Sequence, residues 1–174
     1  RLSNTTRNVW VDQISINQCD LVERGHQVAL MARIYRESRT TLIWLGDAGD
    51  GTVEEVYSLI KDVNELIRAQ LLENDGSWDN IPAIDSTNPI SYDQRWVSFA
   101  KMTDCAWFRR VWVVQEAGLS VRPQILYGKR NMDWKTFIRV LNWLRHRGSH
   151  IAYQFHIEWY AIHMDKEHLW PSAI

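Results

Sequence analysis

VWVDQISINQCD, residues 9–20, opens as an apolar, largely β-branched run and closes in a polar knot. A segment with helical spacing follows at 23–39, where Val28, Met31, Ala32 and Tyr35 share a face with Leu30 and Ile34 beside them. A second apolar run, TTLIWLG, comes next at 40–46. In 9–16 the only charge is Asp12, the pattern of a strand buried on both faces. Strand, helix and strand in that order read as a β-α-β unit, predicting 9–16 and 41–45 as parallel neighbours joined by a right-handed crossover. The expected fold is therefore α/β, with a mainly parallel central sheet and helices on both faces. Ligands of open α/β sheets gather at the carboxyl ends of the strands. The loop at that end of 9–16 carries Asp12, Gln13, Asn17 and Gln18.

Outward from this unit the punctuation is regular. GDAGDG, residues 46–51, is a turn-rich exit, and Thr52 with Glu55 has the spacing of a capping box ahead of Val53, Val56, Tyr57, Ile60, Val63 and Ile67. Residues 73–92, rich in Asn, Asp, Ser, Gly and Pro, predict a loop of the kind that often covers a site. Residues 92–118 read as helix in two pieces broken near 104–106, and 124–127 as a short strand ending at Gly128. Asp133 caps a helix bearing Trp134, Phe137, Ile138, Leu141 and Leu144, which Gly148 closes. The tail, 149–174, reads as further helix.

At 174 residues the chain suits one domain, 1–174, and its start at Arg1 suggests that upstream sequence is missing. A balance of 20 basic and 21 acidic residues gives no field for gathering phosphate backbones, so nucleic-acid binding is disfavoured. Two cysteines, Cys19 and Cys105, make neither a disulfide framework nor a zinc site by themselves. No apolar run has the length of a membrane span, and RLSNTTRN lacks the core of a secretory signal. A cytoplasmic protein without membrane partners is expected.

Ten tryptophans stand out at this length. Most suit core positions with one partner for each indole N–H; a stacking role needs polar neighbours, and Trp112 has Arg109, Arg110, Gln115 and Glu116 around it. In WFRRVWVVQE, residues 107–116, Trp112 and Glu116 lie four apart on one helical face. Glu116, set behind VWVV, either pairs with Arg109 or Arg110 or is aimed into a cleft. Asp12 either caps its own loop or binds a ligand hydroxyl. His146 and His150 have i, i+4 spacing, with His156, His163 and His168 beyond. No HExxH or CxxC accompanies them, so no metal site is expected. GxGxxG, GxxxxGK[ST] and GxSxG are all absent from the sequence.

In order along the chain, VWVDQISINQ, ERGHQVALMARIYRES, TLIWLG, WFRRVWVVQEA, ILYG and the Asp133-Trp134 pair resemble the fungal HET domain, the heterokaryon incompatibility module. The resemblance covers 7–144 and lacks the family's upstream LSYxWG-like strand; Gln13 and Ser15 stand where the family more often has Ala and Cys. HET domains are in turn similar to TIR domains. On that likeness the fold is flavodoxin-like, 49–105 is a helical insertion, and residues 112–116 match the TIR pattern WCxxE with Val113 in place of its cysteine.

TIR enzymes use the glutamate of that pattern to cleave NAD. The resemblance thus implies a catalytic Glu116, alone among the residues, with NAD as substrate and no cofactor; Trp112, Arg109, Asp12, Asn17 and Gln18 join it as nucleotide-binding candidates by their own positions in the sequence. It also implies a trigger of cell death when unlike fungal cells fuse. The competing reading is a non-catalytic module that kills by assembling with copies of itself or with a regulatory partner protein.

Overall fold

The computed structural model describes residues 8–110 and 113–157. Among them the chain runs α1 (Asp12–Ser15), α2 (Leu21–Glu37), β1 (Thr41–Trp44), α3 (Asp50–Glu73), a 3-10 turn (Pro89–Tyr92), α4 (Arg95–Thr103) and a second 3-10 turn (Ala106–Arg109). Then come α5 (Val113–Gly118), β2 (Pro123–Tyr127), β3 (Arg130–Asp133), α6 (Trp134–Arg147) and α7 (Ser149–Gln154). The fold is mixed α/β around a three-stranded sheet of order β1-β2-β3.

The first expected strand does not form. Residues 12–15 make a single helical turn, and Val9 and Ile14 are 70% and 84% exposed, leaving Ile16 as the buried residue of the run. Local side chains divert the backbone from a ladder. The Asp12 carboxylate accepts the N–H of Gln13, the Ser15 hydroxyl accepts that of Val11, and the Val11 carbonyl accepts from Ile14 and Ser15.

Parallel pairing instead joins β1 to β2, with Ile43 opposite Ile125, across a connection containing α3, α4 and α5. β2 then turns back into β3 as an antiparallel hairpin, so the sheet is half parallel and half antiparallel. The hairpin turns at Gly128, whose φ is 55° and whose N–H donates to the Gly46 carbonyl. A Cβ there would meet Val53 Cγ2 at 2.8 Å, so a close approach and a left-handed backbone both call for glycine.

The 49–105 segment supplies much of the core. α3 buries Val53, Val56, Leu59, Ile60, Val63 and Ile67 against Trp96, Phe99 and Met102 of α4 and Phe137, Leu141 and Leu144 of α6. Polar ties flank that seam. Arg95 bonds both Asp93 and Asp62, and Arg139 donates to Asn64. α3 starts two residues before the expected capping box, behind Gly49, and Glu55 accepts from the Ser98 hydroxyl instead of capping. Asp20 caps α2 through Val22 and Glu23, while Asp133 caps α6 through Thr136. Gly148 ends α6, so His146 and His150 sit on separate helices.

Residues 74–88 dock on the end of α6: Arg147 donates to the carbonyls of Trp78 and Asp79, and its own carbonyl accepts from Ile84. Helices cover the Ile43 and Ile125 face of the sheet. On the other face Leu42 and Trp44 are 55% and 64% exposed, so the expected second helical layer is missing among the described residues.

Candidate functional site

Glu116 sits in the short helix α5 and is only 8% exposed. Each of its carboxylate oxygens has a partner. Oε2 accepts the indole N–H of Trp107 at 2.8 Å, and Oε1 lies 3.1 Å from Nη2 of Arg110. Burial of an ion is tolerated only when hydrogen bonds replace water, which this pair of contacts supplies. Trp107 is itself fixed by edge-on contacts with Phe108 and Trp134, at ring-centroid distances of 5.1 and 5.7 Å. The aromatic core thereby sets the position of the carboxylate.

Tyr35, half-buried on α2, feels the charge both of this carboxylate and of Asp12 in α1. Its phenol is pushed up to about 12, chiefly by burial and then by the negative charges of Glu116 and Asp12, with Arg110 acting in the opposite direction. Glu116, Asp12 and Arg110 therefore all act on one phenol. Trp10 packs edge-on against the same ring at 6.2 Å.

Beside this cluster is an open hollow of about 130 Å³ lined by Asp12, Ile16, Gln18, Arg24, Val28, Met31 and Arg110. Asp12 reaches it from α1, and the Gln18 amide donates to the Asp12 main-chain carbonyl, which holds the 12–18 loop closed on itself. Asn17 turns inward on the loop: its side-chain oxygen accepts from the Cys19 N–H, while its own N–H donates to Glu23. Arg109 forms an ion pair with Asp104 and does not line the hollow. Trp112 lies outside the described residues.

Of the expected site, then, Asp12 and Gln18 line the hollow with Arg110, which pairs with Glu116, while Asn17 serves its own loop and Arg109 pairs with Asp104. Sequence reasoning left out Tyr35, Arg24 and Trp107. Tyr35 carries the helical period of a core residue. Trp107 is nine positions from Glu116, a separation with no periodic signature.

Among the described residues no group of three or more His, Cys, Asp or Glu side chains is placed to hold a metal. His150 Nε2 lies 3.0 Å from the Ser91 hydroxyl, while His163 and His168 lie outside the described residues. Cys19 and Cys105 are both free thiols, and burial with Asp104 nearby pushes Cys105 up. No described helix is long and apolar enough to cross a membrane.

Comparison with known proteins assigns the chain. The family model described as heterokaryon incompatibility protein (HET) matches residues 1–116, two thirds of the sequence. The chain belongs to the HET family. It is similar to heterokaryon incompatibility protein 6, OR allele, of Neurospora crassa, with 29% identity over 160 residues. That alignment covers 79% of this chain and 22% of the relative, so the chain spans about a fifth of the relative's length. No solved structure matches.

Proposed function

We propose that this chain serves heterokaryon incompatibility as a cytoplasmic cell-death effector, and that it acts by hydrolysing the nicotinamide–ribose bond of NAD. Family membership and the similarity to heterokaryon incompatibility protein 6 support the first part. The second rests on one observation: Asp12 and Arg110 line a single hollow, and Arg110 is ion-paired with the buried Glu116 carboxylate. The Trp112 to Glu116 spacing, which resembles the TIR pattern, adds support.

Heterolysis sends the bonding electron pair to the pyridinium nitrogen, which departs as neutral nicotinamide and needs no strong acid. The sugar carbon left behind becomes oxocarbenium-like; water adds to it and loses its proton to solvent. Glu116 would oppose that positive charge, with Trp107 holding the carboxylate in place so that little reorganisation accompanies the reaction. Asp12 would accept from a ribose hydroxyl. The hollow, about 130 Å³, is smaller than the roughly 300–1,000 Å³ of pockets that bury a whole drug-sized ligand, so only part of the dinucleotide would enter it while the remainder lies across the surface.

A second reading has its own observation. Both oxygens of Glu116 are already engaged, as in a purely structural ion pair, and the Leu42 and Trp44 face is open to a partner. Release of nicotinamide from NAD by the purified protein separates the two. The wild type is expected to release it, and Glu116→Gln to slow release about a hundredfold or more while melting normally and losing toxicity. No release by the wild type, or an undiminished rate in the variant, would transfer the function to the assembly reading.

A further inference from the structure

Two guanidinium groups, from Arg24 in the first turn of α2 and Arg110 after the second 3-10 turn, line the same small hollow. Arg110 engages Glu116 through Nη2. Arg24 is exposed, and its guanidinium has no hydrogen bond or ion pair among the described residues. Two cations around a concavity, one of them without a counter-charge, form a receptor for an anion with several oxygens, because a guanidinium presents its donors in a planar fork matched to phosphate. Asp12 also lines the hollow and repels an anion set beside it, so the anion belongs on the arginine side and a neutral hydroxyl on the Asp12 side. A nucleotide offers that combination, with a pyrophosphate adjoining a ribose.

We propose that the hollow binds the pyrophosphate of a nucleotide between Arg24 and Arg110, and that the bound anion draws Arg110 away from Glu116. This inference rests on the reading of the hollow as a nucleotide site. In the empty protein Arg110 neutralises the buried carboxylate; once the anion competes for the same guanidinium, Glu116 regains its full negative charge. The ligand's phosphate end would thus expose the carboxylate that its ribose end needs, and NAD analogues lacking the pyrophosphate would be turned over slowly even where they fit.

Calorimetric titration with ADP-ribose and, separately, with inorganic pyrophosphate tests the site without any bond being cleaved. The wild type is expected to bind ADP-ribose, and Arg24→Gln and Arg110→Gln each to weaken it about tenfold, the scale of one charge-assisted contact. Arg24→Lys should recover part of the loss. Glu116→Gln should bind severalfold tighter, because it removes the competitor for Arg110. Pyrophosphate should bind more weakly than ADP-ribose with the same dependence on both arginines; equal affinity would assign the hollow to a free anion and overturn the nucleotide.

Absence of ADP-ribose binding at millimolar concentration, or wild-type binding by Arg24→Gln, overturns the anion site. A Glu116→Gln variant that binds no tighter overturns the release of Glu116. If ADP-ribose binds as expected while NAD stays intact, the anion site stands and cleavage falls. If NAD is hydrolysed with an Arg24→Gln KM equal to wild type, cleavage stands and the anion site falls.

Discussion

The indole N–H of Trp107 meets Glu116 Oε2 at 2.8 Å, tying the 3-10 turn that ends at Arg109 to helix α5 through two buried side chains. The bond fixes a carboxylate that would otherwise favour solvent. Because the indole also packs on Trp134, which starts α6, a disturbance of the core reaches the candidate site by one side chain.

Replacing Trp107 with Phe removes the donor and leaves a buried carboxylate oxygen one partner short. A loss of about 1–3 kcal/mol is expected, or several degrees in melting temperature for a domain of this size. In a double-mutant cycle Trp107→Phe and Glu116→Gln should be non-additive by at least about 0.5 kcal/mol. Additive losses would mean that the hydrogen bond contributes nothing to the fold.

Gly128 tests the junction of sheet and helix. Alanine there has to adopt a φ of 55° and bring its Cβ to 2.8 Å from Val53 Cγ2, which asks α3 or the hairpin to shift. Chemical denaturation of Gly128→Ala should show a loss of about 1–3 kcal/mol. Combining it with Val53→Ala should restore part of that loss, because the contacting methyl is gone; a fully additive pair would leave backbone strain as the sole cost.

Where the sequence was legible, it was so because side chain and backbone preferences agreed. Asp133 announces α6 as its cap, and the period of Val53 to Ile67 announces the buried face of α3. The 9–16 run misled because hydrophobic β-branched residues state only that a strand is affordable to the local chain, whereas Asp12 and Ser15 offer the same backbone nearer partners. β3, with Arg130, Asn131 and Asp133, carries no strand composition at all; it exists because the Gly128 turn returns the chain beside β2. Of the site, Glu116 and Asp12 could be singled out as charges in apolar surroundings. Tyr35 could not, because its period is that of any helix core and only the tertiary packing shows which charges it faces.

The uncovered sheet face gives a contrast between neighbours on one strand. Trp44→Thr exchanges one strand-favouring residue for another at an exposed position and should change stability by no more than about 0.5 kcal/mol. Ile43→Ala, one residue away and pointing into the core, should cost about 2–4 kcal/mol. Comparable losses at both positions would show that the Leu42 and Trp44 side is covered in solution.

Alkaline titration probes the site directly. The Tyr35 phenol is pushed up from 10.0 to about 12 by burial and by Glu116 and Asp12, and Tyr57 is pushed up to about 12 by burial, with Glu54 adding to it and Arg130 opposing it. A raised folded-state value means that the fold favours the neutral phenol. The contribution is therefore fully present below pH 10, where both states are protonated, and is lost as pH rises from 10 through 12 while the unfolded chain ionises first. Denaturation midpoints should fall across that window. Tyr35→Phe, which cannot ionise, should flatten its share of the fall, and Glu116→Gln should lower the Tyr35 titration midpoint by removing one of the charges that raise it. Ultraviolet absorbance at the phenolate band, followed in wild type and both variants, reads the midpoints. An unchanged Tyr35 midpoint in Glu116→Gln would separate the phenol from the carboxylate and dissolve the cluster on which the proposed site is built.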